Sequence, residues 1–231
     1  MKFLAVDSSA KSASVAVIDN ERLISESFVN IGLTHSETLM PMINGTLKSA
    51  GLTISDIDSF CITVGPGSFT GIRIGLSAIK GLAQPSDKPC YGVSTLDAMV
   101  YNADDFNGII CCVMDARCSQ VYNALFECKN KEIKRLTPDV AISLEELYNK
   151  LNEYDSNILL TGDGAEISFN YLKDKLSTVC IASAQTRFQR AYGAFAAANK
   201  LGISPCSANE LNPVYLRPSQ AERELKKKKE N

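Results

Sequence analysis

Histidine is almost missing from this chain: His35 is the only one among 231 residues. One imidazole excludes H-E-x-x-H and every other two-histidine metal site, and four places after it stands Leu39. A serine triad would have to use His35, and no G-x-S-x-G elbow supplies the nucleophile, because Ser68 stands in G-P-G-S-F-T-G. That segment also lacks the lysine that a P-loop places after its last glycine. At the start of an expected helix, His35 reads as a surface residue rather than a catalyst. The eight cysteines contain no C-x-x-C pair. Cys61, Cys111 and Cys112 lie in apolar, strand-like runs and read as reduced core residues rather than bridges or metal ligands. No apolar run reaches the ~18–20 residues of a membrane span, and Met1–Asp7 enters a strand pattern at once, so a cytoplasmic protein without a signal peptide is expected. Basic excess is lacking too: the net charge is −2, whereas a protein that grips an RNA duplex unaided shows a basic face. Lys226–Lys229 is the one locally basic run and reads as a solvated tail.

What is present is ordinary globular material, 45% hydrophobic and 22% charged, enough for one large domain or two small ones. The organising stretch is GPGSFTGIRIG, Gly65 to Gly75. The apolar run Phe60–Val64 before it predicts a short buried strand, Gly65-Pro66-Gly67 a tight turn, and Ser68 the N-cap of a helix from Phe69 to Gln84. A helix end at a sheet mouth attracts anions. Gly71, Gly75 and Gly81 inside the helix each cost about 0.5–1 kcal/mol relative to alanine. Gly71, Gly75 and Ala78 fall at i, i+4 and i+7 and form one bare stripe, which admits another backbone closely. That backbone belongs either to the same chain or to a partner helix of a second protein.

Around this stretch the chain predicts strands at Phe3–Val6, Ala13–Ile18 and Arg22–Val29, joined as a meander. Thr34-His35-Ser36-Glu37 reads as a capping box for a helix to about Ala50, stopped by Gly51 and bent at Pro41; Leu39, Ile43, Leu47 and Ala50 are its apolar face. Cys90–Val93 predicts a strand, and Ser94 caps a following helix. Asp104–Gly108 is the expected boundary between domains 1–105 and 106–231. Beyond it, Ile109–Met114 ending at Asp115 and its hairpin partner Val121–Phe126 repeat the opening order of strand, acid, turn, strand, as in an internal duplication. Ser143 caps a helix, Ile158–Thr161 meets the turn Gly162-Asp163-Gly164 into another, and Thr186–Lys200 is expected as a long helix presenting Phe188, Tyr192 and Phe195. Two such units predict an α/β protein of two similar lobes.

Asp7 and Asp115, each ending a strand before a small-residue turn, are placed as actin-like and sugar-kinase-like ATPases place their magnesium-binding acids. A stand-alone ATPase or small-molecule kinase is therefore the alternative to a binding protein. Both turns lack the glycine of active phosphate loops.

VGPGSFTGIRIGL, FLAVDSSAKSASVAV, THSETLMPMI, MDARCSQVYNALF, GDGA and PVYLRP together resemble the bacterial TsaB (YeaZ) family over nearly the whole chain. The resemblance implies an α/β actin-like, ASKHA (ribonuclease H-like) fold of two lobes. It also implies a non-catalytic subunit that binds the catalytic subunit TsaD in threonylcarbamoylation of tRNA adenosine 37. TsaD-like proteins bind their metal with H-x-x-x-H; Leu39 stands in the second histidine's place, so no intrinsic metal or cofactor is expected. ATP and magnesium are used by the complex, and the metal is held by the TsaD-like partner. A TsaE-like ATPase is a further partner, a homodimer forms when the protein is alone, tRNA is met only through the complex, and no membrane is involved. On this reading Gly71, Gly75, Ala78, Ile79 and Leu82, with Leu39, Ile43 and Leu47, meet the partner. Asp7, Ser8, Ser9, Ser12, Asp115, Gly162 and Gly164 are then a vestigial nucleotide site.

Overall fold

The computed structural model describes residues 1–32 and 34–218; the Lys226–Lys229 run lies outside them. In β1 (Lys2–Asp7) successive side chains point to opposite faces. Leu4 and Val6 enter one apolar cluster, and Phe3 and Ala5 another. Both faces of the strand are therefore covered, which is why it reads as a continuous apolar run. β2 (Ala13–Asp19) and β3 (Arg22–Val29) continue the sheet antiparallel, while β4 (Ser59–Gly65) and β5 (Cys90–Ser94) extend it in parallel on the other side of β1. The order is β3-β2-β1-β4-β5.

A second sheet repeats that order. β6 (Gly108–Asp115) is central, β7 (Gln120–Lys129) and β8 (Glu132–Arg135) lie antiparallel on one side, and β10 (Ile158–Thr161) and β11 (Val179–Ile181) parallel on the other. β9 (Val140–Ser143) pairs with β7 beyond β8. The two strand–acid–turn–strand units occupy equivalent places, β1–β2 in one sheet and β6–β7 in the other.

Helices α1 (His35–Ser49) and α2 (Phe69–Ala83) cover one face of the first sheet through Leu39, Ile43, Leu47, Ile72, Leu76 and Ile79. α4 (Leu144–Leu151) and α5 (Ala165–Leu172) cover the corresponding face of the second through Leu147, Leu151, Ala165 and Leu172. The other two faces are closed by an exchange across the expected boundary. α3 (Thr95–Val100), from the first half, packs through Leu96, Met99 and Val100 against Ile110, Cys112 and Met114 of β6. α6 (Ala191–Lys200), from the second half, packs through Ala191, Phe195 and Ala198 against Ala5, Cys61 and Val93 of the first sheet. The two helices touch so closely that a Cβ on Gly193 would lie 2.2 Å from the Ala98 carbonyl oxygen. A cut between 105 and 106 thus separates the two sheets but not the two packing units, since each half lends the other a helix.

Two local expectations differ from what forms. Thr34 is the N-cap of α1, but its side chain makes no capping bond; Ser36 Oγ donates to Thr34 Oγ1 instead, so the capping box is absent. The helix expected from Thr186 begins only at Ala191. The Arg187 carbonyl accepts from the Gly162 N–H (2.6 Å) and from Thr161 Oγ1 (3.1 Å), and Arg190 is extended at φ −134°, ψ 145°. Those backbone groups serve the end of β10 and are unavailable to a helix.

Candidate functional site

The loop from Asp7 to Ser12 sits directly on the amino end of α2, and the bare stripe is the reason it can. A Cβ on Gly71 would stand 2.2 Å from the Ser8 carbonyl oxygen, and one on Gly75 2.3 Å from Ser8 Oγ. Ser8 Oγ donates to the Gly71 carbonyl at 2.9 Å, and the Ser68 N–H donates to the Ser9 carbonyl at 2.6 Å. Ser68 Oγ accepts from the Gly71 N–H, as its N-cap position predicts. The close neighbour of the stripe's two glycines is therefore the chain's own loop, while Ala78 lies on the outward groove.

That packing bears on nucleotide binding at this end of the molecule. At the α2 terminus, where a phosphate would sit, the Ser9 carbonyl already accepts an amide proton. Ser8, Ser9 and Ser12 are buried with Asp7. Asp7 Oδ1 accepts from the Ser9 N–H (2.9 Å) and Ser9 Oγ (2.8 Å). Burial pushes the Asp7 carboxyl above the usual carboxylate range, against the opposing pull of Ser9, Thr63 and His35. A buried acid whose carboxylate is already engaged by Ser9 is a poor match for a magnesium-bound triphosphate at this loop.

The second loop is more open. Asp115 is exposed, and its carboxylate accepts from the Arg117 N–H at 2.7 Å. Asp163, beside it, is pushed up to about 6 by burial, although Gln189 Nε2 (3.1 Å) and the Asp115 N–H (3.4 Å) both favour its charged form. Gly162 and Gly164 have a structural duty here. A Cβ would meet the Val113 carbonyl oxygen at 2.0 Å from Gly162 and the Met114 backbone at 2.8 Å from Gly164.

The eight residues expected to meet a partner are placed mostly elsewhere. Leu39, Ile43, Leu47, Gly71, Gly75 and Ile79 are buried within the chain's own core; only Ala78 and Leu82 are half-buried. The periodic apolar face of a helix over a sheet goes to the sheet, and the glycines go to the loop. What α1 and α2 turn outward is a groove of about 650 Å³ lined by His35, Met40, Phe69, Arg73, Ile74, Ser77 and Ala78, among others. Arg73 sits over the Phe69 ring, its guanidinium carbon 3.9 Å from the ring centroid, and donates through Nε to Tyr215 Oη at 2.9 Å. Tyr215 in turn stacks on Phe69 at 4.5 Å.

Residues 31–210 match the family model described as TsaD, tRNA N6-adenosine threonylcarbamoyltransferase. The chain is 31% identical over 178 residues to the tRNA threonylcarbamoyladenosine biosynthesis protein TsaB of Bacillus subtilis, covering 77% of this chain and 78% of that one. It belongs to the TsaB family. The Haemophilus influenzae TsaB is 27% identical with 94% of both chains covered. YeaZ from Pseudomonas aeruginosa superposes with a TM-score of 0.78 at 24% identity, covering 93% of this chain and 99% of that one. Two sheets of one strand order, each backed by helices, form the two-lobed actin-like (ASKHA) fold.

In this TsaB-family chain the position of the absent second histidine is filled by Leu39, 1% exposed and packed in the core. His35 is half-buried rather than a free surface residue: its Nε2 lies 2.7 Å from the Ala10 carbonyl oxygen and ties α1 to the Asp7–Ser12 loop. Among the described residues, no three histidine, cysteine, aspartate or glutamate side chains converge as a metal site. Sequence reasoning missed the Phe69–Arg73–Tyr215 stack. Its signal was present in the motifs GPGSFTGIRIG and PVYLRP, which lie far apart in the chain but meet in space.

Proposed function

We propose that this chain is the non-catalytic, partner-binding subunit for threonylcarbamoylation of tRNA adenosine 37, and that it holds a TsaD-like catalytic subunit on the outward faces of α1 and α2. The observation that carries this reading is the groove between those helices. Met40 and Ile74 offer apolar contact, Ser77 and Ala78 leave room for close helix approach, and Arg73 stands preset at one end. The proposal moves the contact from the inner residues of the two helices to their outer ones.

The chain's own chemistry supports a supporting role. Its one imidazole is hydrogen-bonded to a backbone carbonyl, and its strand-end Asp7 is sealed beneath the loop. On this reading ATP and magnesium act at other subunits, among them a TsaE-like ATPase, and the catalytic metal is the partner's. tRNA is met through the complex, the free protein pairs with a second copy through the same groove, and the setting is the cytoplasm.

The test is nucleoside mass spectrometry of tRNA from cells depleted of this protein and complemented with native or Ser77→Arg protein. Native protein is expected to restore threonylcarbamoyladenosine, and the variant, with an exposed residue enlarged in the groove, to restore little. Full modification in depleted cells would overturn the role, and full restoration by a folded Ser77→Arg protein would overturn the docking face.

A further inference from the structure

Cys90, the first residue of β5, and Cys206 face each other across an isolated antiparallel bridge. The Cys90 N–H donates to the Cys206 carbonyl at 2.9 Å, and the Cys206 N–H donates to the Cys90 carbonyl at 2.8 Å. Reciprocal bonding of this kind holds two Cα atoms about 5.5 Å apart with both side chains on one face of the ladder. Disulfides span Cα separations of ~4.4–6.8 Å and Cβ separations of ~3.5–4.5 Å, so the backbone spacing fits while the two Cβ atoms must draw together by up to about 1 Å. Both side chains do join one apolar cluster, Cys90 within it and Cys206 packed against it. Both are free thiols.

We propose that Cys90 and Cys206 are a dithiol site that a low-molecular-weight disulfide oxidises reversibly, fastening the segment from Cys206 to Arg217 to the edge of the first sheet. Cys206 is half-buried and Cys90 fully buried, so Cys206 reacts first. Its thiolate attacks one sulfur of the small disulfide, forming a mixed disulfide and releasing one thiol, which takes up a proton. Cys90 then loses its proton, attacks the Cys206 sulfur and releases the second thiol. The protein gives up two electrons and two protons, and one small disulfide becomes two thiols. Burial raises both thiols, Cys90 to about 11, and Lys80, near both sulfurs, opposes that only in part, so exchange is slow near neutral pH.

The segment that would be fastened is the one that carries Tyr215. Downstream of Cys206 it is held by buried Leu211, by the Val214 N–H on the Val64 carbonyl (2.8 Å), by Tyr215 on Phe69, and by Arg217 on the Ala116 carbonyl (2.7 Å). A covalent tie at its start closes a loop of roughly 115 residues and removes freedom from the unfolded chain.

The test treats the whole protein with oxidised glutathione, blocks remaining thiols with N-ethylmaleimide, and maps peptides by mass spectrometry. The expected result is a Cys90–Cys206 linked peptide that disappears on reduction, with an unfolding midpoint at least about 5 °C above that of the reduced protein. Cys206→Ser, at a half-exposed position outside the strands, is expected to lose both effects and remain folded. Glutathione retained on Cys206, linkage through the exposed Cys118 or Cys180 instead, or a linked form with an unchanged midpoint would each overturn the proposal.

Discussion

Gly71→Ala and Gly81→Ala, made in the same helix, are expected to move stability in opposite directions. Alanine gains about 0.8–1.0 kcal/mol over glycine from helix propensity at either place. At Gly81 nothing lies within 4 Å of the new Cβ, so that gain is kept. At Gly71 the Cβ would arrive 2.2 Å from the Ser8 carbonyl oxygen and 3.1 Å from His35 Cδ2. The loop must retreat by about 1 Å to restore contact distance, and overpacking of this kind costs about 1–3 kcal/mol. Retreat also stretches the Ser8 Oγ bond to Gly71 and the Ser68 bond to Ser9, and a buried polar group left unpaired costs a further ~1–3 kcal/mol. Set against the helix-propensity gain, the net loss is about 3 kcal/mol, a fall of roughly 6–12 °C in the unfolding midpoint for a chain of this size. Gly81→Ala is expected to rise by about 2–4 °C on the same scale. Thermal unfolding followed by circular dichroism reads both. A Gly71→Ala protein as stable as Gly81→Ala, yet unable to bind a partner, would refute the intramolecular account and return the stripe to an interface.

Other perturbations follow from the same contacts. Asp7 has its pKa raised in the fold, so its contribution to stability is complete below the ordinary carboxylate value of about 4 and is lost as pH rises. Asp7→Asn, which removes the charge and keeps an acceptor for Ser9, is expected to exceed the native protein in stability at about pH 8 and to lose that advantage near pH 4; denaturant titrations at the two pH values check it. Arg135→Ala removes the guanidinium shared by Asp97 (2.6 Å) and Asp139, which links α3 to the β8–β9 segment. The arginine is one-third exposed, so the loss is about 1 kcal/mol after solvent screening, and it grows with pH because Asp97, raised already by burial, then ionises without a partner; calorimetry over the same pH range measures it. Leu39→His restores the H-x-x-x-H spacing but places an imidazole in the core. It is expected to lower stability by about 2–4 kcal/mol and to recruit no zinc by elemental analysis.

Much of the frame was legible because its signals are local. Ser68 and Ser143 cap helices through bonds to amides three places on, and strand alternation needs only neighbouring residues. The repeat of strand, acid, turn and strand foretold two similar lobes, and the common strand order of the two sheets came from the fold. What the sequence could not resolve was direction. Gly71, Gly75 and Ala78 form a stripe whether the neighbour is Ser8 of the same chain or a helix of another, and only the fold gives the two glycines to Ser8 and Ala78 to the groove. The apolar face of α1 was found correctly, but the structure spends Leu39, Ile43 and Leu47 on the chain's own core. The helix expected from Thr186 failed for a similar reason. Local propensity carries no record that β10 and its turn claim the Arg187 carbonyl.

The most direct measurement is native mass spectrometry of the tagged protein purified from its own cells at low salt, beside its Ser77→Arg variant. The account predicts a TsaD-like subunit at defined stoichiometry with the native protein and its loss from the folded variant. Only monomer or homodimer from the native protein, or a partner retained equally by the variant, would contradict it.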